Sequence, residues 1–389
     1  MSGAVAVIGA GPAGLAAALA LRGRGVPVQV FERAPGRPAR LPETLYDAAR
    51  SELDRLGVAP PPASASAVRF VSADGAVSVR MEVEAPVRLP TINRAELDVG
   101  LREAAAAAGA RLRTGQAILG IEPAQGGGWV LSGPDDMRES FAQVIDATGK
   151  AALASGTSLA AVAEPYPLDA RSSVFTHFER AEPFGVDAVT LVAAPQGFFY
   201  LVPLTPHRLC VGCVSYAADV PDEAKFQAAV AASPPVRALV LGANRALPLL
   251  AAKNAETRIG SVAVPGLFAA GDALGFRDPF LWDGIGYALG SGRQAGELAA
   301  AVALGQLTAE DAAAAYSASL QRIERRSTVE AETALAAFSA ALAPVMLLDP
   351  HMPPPLLAAL LGLARQDAEA GPRLALRRRR GDPSRRAAA

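Results

Sequence analysis

Val5-Ala6-Val7-Ile8-Gly9-Ala10-Gly11-Pro12-Ala13-Gly14 is the stretch on which the fold turns. Four apolar residues suited to a buried strand run into a glycine turn, and the chain re-enters as a helix through the run Ala13 to Leu21. Such a turn presents backbone N–H groups and the positive end of the helix dipole to a pyrophosphate. Gly9 permits the tight turn, Gly11 leaves room for phosphates to touch backbone, and Gly14 lets the helix lie close to the strands. Pro12 suits the first helical turn, where its missing N–H costs nothing. The next apolar run, Val26 to Phe31, ends in Glu32, whose carboxylate can accept both hydroxyls of an adenosine ribose. Ala13 and Arg33 fall beside these groups and are counted with them. A lone GxGxxG in a glycine-rich chain is a weak sign; strand, helix, strand and acid in series are a strong one.

The chain has 389 residues, enough for two domains and a large core. With 51% hydrophobic and 19% charged residues it is a globular chain and not a disordered one. The net charge of −1 hides an asymmetry, because residues 371–389 carry seven Arg and one Asp, which leaves −7 for the rest. That basic tail reads as a solvated terminus, and no nucleic-acid partner is expected. Cys210 and Cys213 are the only cysteines. A chain of this length with two cysteines belongs in a reducing compartment. Their CxxC spacing falls on a strand, where positions three apart face opposite ways, so a buried structural role is expected. With only His177, His207 and His351 besides, no metal site is expected. The apolar start lacks a basic leader and carries the nucleotide turn itself, and no run reads as a membrane span. The expected location is the cytoplasm.

Further along, Leu45 through Leu53 to Leu56 shows a short helical pattern, and alternating runs at 68–71 and 77–83 read as strands of a second sheet. Asn93 to Ala108 reads as a helix and Ala110 to Leu112 as a strand. Ile118 to Ile121 and Trp129 to Leu131 flank Gly126-Gly127-Gly128 as a hairpin, and Val144 to Gly149 is a buried strand ending in a glycine turn. From about 163 to 240 the pattern is one of short strands. The chain then returns to the nucleotide domain with Gly266-Leu267-Phe268-Ala269-Ala270-Gly271-Asp272, a strand with an acid at its carboxyl end. A helix from about Gly284 to Leu304 follows, and Thr308 caps another.

These passages together resemble the FAD-dependent aromatic-hydroxylase superfamily: group A monooxygenases, flavin-dependent halogenases and geranylgeranyl reductases. The resemblance spans about residues 1–305. It rests on the glycine turn with Glu32, and on Gly271-Asp272-Ala273 with Asp278-Pro279 and Gly284-Ile285-Gly286. It implies an α/β fold: a Rossmann-type FAD-binding domain built from three chain segments (1–62, 92–155 and 255–305), a second β-sheet substrate domain (63–91 and 156–254), a helical C-terminal region (306–370) and the basic tail. It also implies that Asp272 binds the ribityl chain of FAD, and that Pro279 and the helix opening at Gly284 and Ile285 lie against the flavin ring. Arg94 matches an arginine near the ribityl and phosphate groups, with a plain salt bridge as the alternative. No second glycine motif for NAD(P)H is present, which fits transient use of NAD(P)H or electrons from a separate flavin reductase.

Gly197-Phe198-Phe199-Tyr200-Leu201-Val202-Pro203 looks like a degenerate form of the halogenase WxWxIP motif, with Phe198 and Tyr200 at the tryptophan positions, on one side of a strand. Ordinary strand packing is the competing reading. Halogenases use a lysine in the N-terminal third; here the first lysine is Lys150, followed by Lys225 and Lys253. Halogenation is thereby disfavoured and oxygen insertion preferred.

The resulting expectation is a monooxygenase that hydroxylates an aromatic or electron-rich substrate, small molecule or peptide-bound, through a flavin C4a-hydroperoxide. Tyr200, Asp283 and His177 are the candidate catalytic groups, and Phe198, Tyr200 and Trp282 the candidate pocket walls. His177 and Trp282 each have a packing role as the alternative. Two other readings stay open. Reduction of prenyl C=C bonds is distinguished by the absence of coupled O₂ consumption. A non-catalytic flavin-binding partner protein is distinguished by flavin redox chemistry indifferent to substrate.

Overall fold

The computed structural model describes residues 4–36, 42–65, 67–82, 91–156, 171–194, 197–215, 221–254, 257–258, 263–276, 284–320 and 322–323. A six-stranded sheet runs in the order Ala263–Val264, Leu267–Ala269, Val144–Asp146, Val5–Ile8, Val28–Glu32, Arg111–Thr114. Its neighbours are parallel except the edge strand Ala263–Val264.

Burial on both faces explains why Val5–Ile8 has no polar residue. Val5 and Val7 pack against helices, with Leu15 and Leu21 of Pro12–Gly23, Leu97 and Leu101 of Arg94–Ala107, and Leu289 of Gly284–Ala303. Ala6 and Ile8 face the other way, onto Trp129, Leu131 and Phe141. Those residues belong to an antiparallel three-stranded sheet, Gly120–Pro123, Trp129–Ser132 and Arg138–Phe141. Asn93 caps its helix by accepting the Ala95 N–H at 3.1 Å. The Thr308 hydroxyl accepts the Asp311 N–H at 3.1 Å ahead of the helix at 309–320.

The helix Gly284–Ala303 lies against Pro12–Gly23 in backbone contact. A Cβ on Gly292 would sit 2.0 Å from the Ala13 carbonyl oxygen, and one on Gly296 2.4 Å from that of Ala17. Farther round, Arg293 binds Glu52 of the helix Asp47–Leu56 at 2.6 Å and Glu297 at 2.6 Å.

The second large sheet has eight strands. Seven follow the order Asn244–Arg245, Arg171–Glu179, Arg208–Ser215, Gly197–Thr205, Val189–Ala194, Ala67–Val71, Ser78–Glu82, and Leu250–Asn254 also pairs with Arg171–Glu179. One face carries Val174, Val192, Phe199, Leu201, Val211 and Cys213 against Phe226 and Val236 of two helices. The expectation of short strands from 163 to 240 is corrected there: Glu223–Ala232 and Pro234–Val240 are helical. Asp222 accepts the Lys225 N–H at 2.8 Å, and Pro234 opens the second helix, so a cap and a proline set the boundaries. The other face carries Phe175, Val202 and Cys210. Both cysteines are buried and unpaired, one on each face, and burial pushes both thiols up in pKa, that of Cys213 to about 11.

A small sheet of Glu43–Thr44, Thr91–Ile92 and Ala63–Ala65 lies between the two large ones, with Thr91–Ile92 in the middle. Among the described residues no helix is long and apolar enough to cross a membrane, and no cluster of His, Cys, Asp and Glu is arranged to hold a metal ion.

Candidate functional site

Parallel strands leave their carboxyl ends on one edge of the sheet, and the candidate residues gather there. Gly9 has φ +103°, and a Cβ on it would meet the Ala147 carbonyl oxygen at 2.3 Å. A Cβ on Gly14 would lie 1.9 Å from the Gly9 carbonyl oxygen. These two glycines are dictated by backbone contact. Gly11 differs, since among the described residues nothing stands within 4 Å of where its Cβ would be. It is the extended residue before Pro12, and among the described residues no side chain caps the helix, whose first N–H groups have no partner within the helix itself. Pro12 and Ala13 are buried in the first turn.

Glu32 ends the second strand. Its Oε2 accepts the Ala10 N–H at 2.9 Å, its Oε1 accepts the Ala34 N–H at 2.9 Å, and Arg102 stands 4.0 Å away. The carboxylate is thus tied to the glycine turn while each oxygen keeps acceptor capacity. Arg33 beside it is exposed.

The turn Gly271–Ala273 follows the strand Leu267–Ala269. Gly271 has φ +64°; a Cβ on it would come within 2.9 Å of Ala13 Cβ, and its N–H donates to Ser291 Oγ at 3.0 Å. Asp272 is therefore delivered beside the start of the first helix, half-buried. Gly284, at the start of its helix, has nothing within 4 Å of its Cβ position among the described residues, and Ile285 is buried in the core. Pro279, Trp282 and Asp283 lie outside the described residues.

Arg94 opens its helix and sends Nε to Asp98 Oδ1 at 2.7 Å and Nη1 to Glu43 Oε1 at 3.3 Å. The salt bridge is present, and Asp272 lies within electrostatic reach of Arg94 and Glu43. Burial raises the Glu43 pKa above the usual carboxylate range, against the pull of Arg94. Lys150 joins the group from the turn Gly149–Ala151. Partial desolvation lowers its pKa, an effect that the nearby Asp272 and Glu43 carboxylates oppose. Sequence reasoning missed Glu43, Asp98 and the place of Lys150. The one usable signal was that an arginine tucked against the fold at position 94 calls for carboxylate counter-ions.

The apolar face of the eight-stranded sheet that carries Cys210 holds the remaining candidates. Phe198, Tyr200 and Val202 alternate on one side of their strand, opposite Val214, Gly212 and Cys210. One strand further, Cys210 is opposite His177 and Gly212 is opposite Phe175. His177 is 7% exposed, and among the described residues neither ring nitrogen has a hydrogen-bond partner; Tyr200 Oη is also buried without one there. Burial, and secondarily the charge of Arg208, pushes the His177 pKa down to about 4, so the ring is neutral. Burial likewise raises the Tyr200 pKa well above its ordinary value, and Glu43 lies within electrostatic reach of it.

The chain belongs to a family described as FAD dependent oxidoreductase, whose model matches residues 49–311. Residues 7–38 also match an NAD(P)-binding Rossmann-like domain. None of the curated proteins matches. The fold is similar to that of a geranylgeranyl bacteriochlorophyll reductase-like protein from Thermoplasma acidophilum, at 19% identity and TM-score 0.68, over 85% of this chain and 86% of that one. It is similar to a flavoprotein/dehydrogenase from Cytophaga hutchinsonii at 20% identity and TM-score 0.65, over 78% and 79%. CmlS, a flavin-dependent halogenase, aligns at 21% identity and TM-score 0.68, over 86% of this chain and 64% of its own. At these identities the likeness is one of fold, the α/β Rossmann architecture of FAD-binding flavoproteins.

Proposed function

We propose that this chain is an FAD-dependent monooxygenase that hydroxylates an aromatic or electron-rich compound. The observation that carries the reading is the position of Tyr200: a buried hydroxyl with no partner among the described residues, on an apolar face, within electrostatic reach of Glu43. The residues fit FAD on structural grounds, because among the described residues the space in front of Gly11 is open and the helix behind it is uncapped. Gly9, Gly11, Pro12, Ala13 and Gly14 would hold the pyrophosphate, and Glu32 and Arg33 the adenosine end. Arg94, Gly271 and Asp272 would hold the ribityl chain, and Gly284 and Ile285 would lie against the ring. Bound FAD supplies the activation of O₂. The protein's own groups exclude water with the Phe198 and Val202 side, orient the substrate through Tyr200, and balance charge through Arg94 and Lys150.

In this reading the nucleotide domain is 1–62, 92–155 and 255–305, and the substrate domain is 63–91 and 156–254. Electrons come from NAD(P)H or a separate flavin reductase. Two buried, unpaired thiols suit a reducing compartment such as the cytoplasm. The test is anaerobic reduction with NADH and NADPH, then mixing with ¹⁸O₂ and candidate aromatic compounds. Isotope in the product supports oxygen insertion. A saturated prenyl product without O₂ uptake supports the reductase alternative, and flavin chemistry indifferent to every added compound supports a binding protein without turnover.

A further inference from the structure

We propose that Ser291 and Tyr316 are positioning residues for Asp272: together they set where the turn Gly271–Ala273 stands, and through it how FAD is gripped at its ribityl end. The inference rests on the assignment of Asp272 to the ribityl chain and adds what holds that residue in place.

At the end of the strand Leu267–Ala269, Ala270 still donates its N–H to the Asp146 carbonyl of the neighbouring strand, at 2.8 Å. The next N–H, that of the buried Gly271, turns to Ser291 Oγ at 3.0 Å. Ser291 is itself fully buried in the helix Gly284–Ala303, and its hydroxyl donates to the Tyr287 carbonyl one turn back, at 2.6 Å. Back-bonding of this kind does not favour a helix. The gain lies in the bond that the oxygen accepts from the other element.

The next residue, Gly292, seats the same helix on the Ala13 carbonyl in the first turn of Pro12–Gly23. Two consecutive residues thus tie one helix to both ends of the proposed cofactor grip, the glycine turn through Gly292 and the Asp272 turn through Ser291.

Tyr316 braces this arrangement from the helix at 309–320, which lies outside the proposed nucleotide domain. It is fully buried and stands edge-on to Phe268, with ring centroids 5.4 Å apart. Its hydroxyl donates to the Ala269 carbonyl at 2.6 Å, with the Ser291 carbonyl beside it at 3.3 Å. One side chain therefore touches the strand end that leads into the turn and the helix residue that receives it. The partners of both hydroxyls are backbone atoms, so what they do to FAD passes through the turn. Without the Ser291 hydroxyl the Gly271 N–H is left buried and unpaired, which is costly. The turn then relaxes until that N–H finds another acceptor, and FAD must draw Asp272 back.

The test compares two ligands of the full-length chain freed of flavin, by calorimetry: FAD, and ADP, which carries adenosine and pyrophosphate but no ribityl chain. Ser291→Ala should weaken FAD binding about tenfold and leave ADP binding unchanged. Tyr316→Phe keeps the ring against Phe268 and should shift FAD in the same direction by a smaller factor, again without effect on ADP; it decides the matter if Ser291→Ala does not fold. In an Asp272→Ala background, Ser291→Ala should cost FAD binding nothing further, as expected of two residues acting through one contact. Equal weakening of FAD and ADP, FAD affinity unchanged in both variants, or full additivity with Asp272→Ala would overturn the proposal and leave the ribityl assignment standing. FAD held as tightly by Asp272→Ala as by the wild type would sink that assignment, and this proposal with it.

Discussion

The Tyr200 ring lies so close over the backbone of Gly212 that a Cβ at position 212 would stand 1.9 Å from Tyr200 Cζ. The two are directly opposite on adjacent antiparallel strands, where side chains normally meet as a pair. Here one member gives up its side chain and the other occupies the space.

Gly212→Ala should therefore displace Tyr200 without touching any proposed cofactor residue. The outcome is a loss of roughly 1–3 kcal/mol of stability from overpacking, read as a lower melting temperature, together with weaker substrate binding. Wild-type melting and binding in this variant would show that the ring moves aside freely.

Tyr200→Phe removes the hydroxyl and keeps the ring. FAD binding should be intact, hydroxylation should fall about ten- to a hundredfold for roughly 1–3 kcal/mol of lost interaction, and more of the reduced oxygen should escape as H₂O₂. Product yield and peroxide measured together decide it; if neither moves, the residue is only a wall.

Gly11→Val should abolish FAD binding and leave the fold of the cofactor-free protein intact, because its side chain enters open space. Gly14→Ala should do the opposite and destabilise the protein even without cofactor, since its Cβ would collide with the Gly9 carbonyl. Flavin absorbance and thermal melting of both forms separate the two effects. Release of FMN instead of FAD on denaturation would contradict the assignment of the turn.

His177 makes stability depend on pH in a defined direction. Its folded-state pKa, about 4, lies below the ordinary histidine value, so between the two the unfolded chain binds the extra proton. Stability should fall as pH drops from about 6.5 towards 4, by up to roughly 2–3 kcal/mol. Arg208 adds to the effect and Glu179 opposes it. Melting curves of the wild type and His177→Gln across that range should diverge, with the variant less sensitive to acid.

Halide should be neither required for turnover nor incorporated in the product, because the first lysine in the sequence is Lys150. In the structure that residue answers to Asp272 and Glu43. Mass spectrometry of products formed with and without bromide checks this; a brominated product would reassign Lys150.

What could be read from the sequence was whatever local physics enforces. The glycine turn, the buried strand ahead of it, the helix that opens near Asn93 and the Thr308 cap are all decided within a few residues. The opposite facing of Cys210 and Cys213 followed from strand geometry alone. Glu43 was invisible because its partner, Arg94, is fifty-one positions away and no periodicity marks it. Gly212 was invisible for the same reason, since its meaning comes from a neighbouring strand. The helices Glu223–Ala232 and Pro234–Val240 were missed because β-branched and apolar residues around them imitate short strands.

The glycine seam that joins Ala13 to Gly292 and Ala17 to Gly296 bears on how the protein is made. The first helix leaves the ribosome well before the surface it is shaped to receive, which arrives only after both large sheets have been synthesised. Contacts between such distant positions close large loops and form late. Until Gly284–Ala303 docks, the apolar flank of the first helix has no cover, and the newborn chain carries a sticky surface that a chaperone or rapid closure must shield. Polar substitutions along that seam should be felt in the yield of folded protein before they are felt in its chemistry.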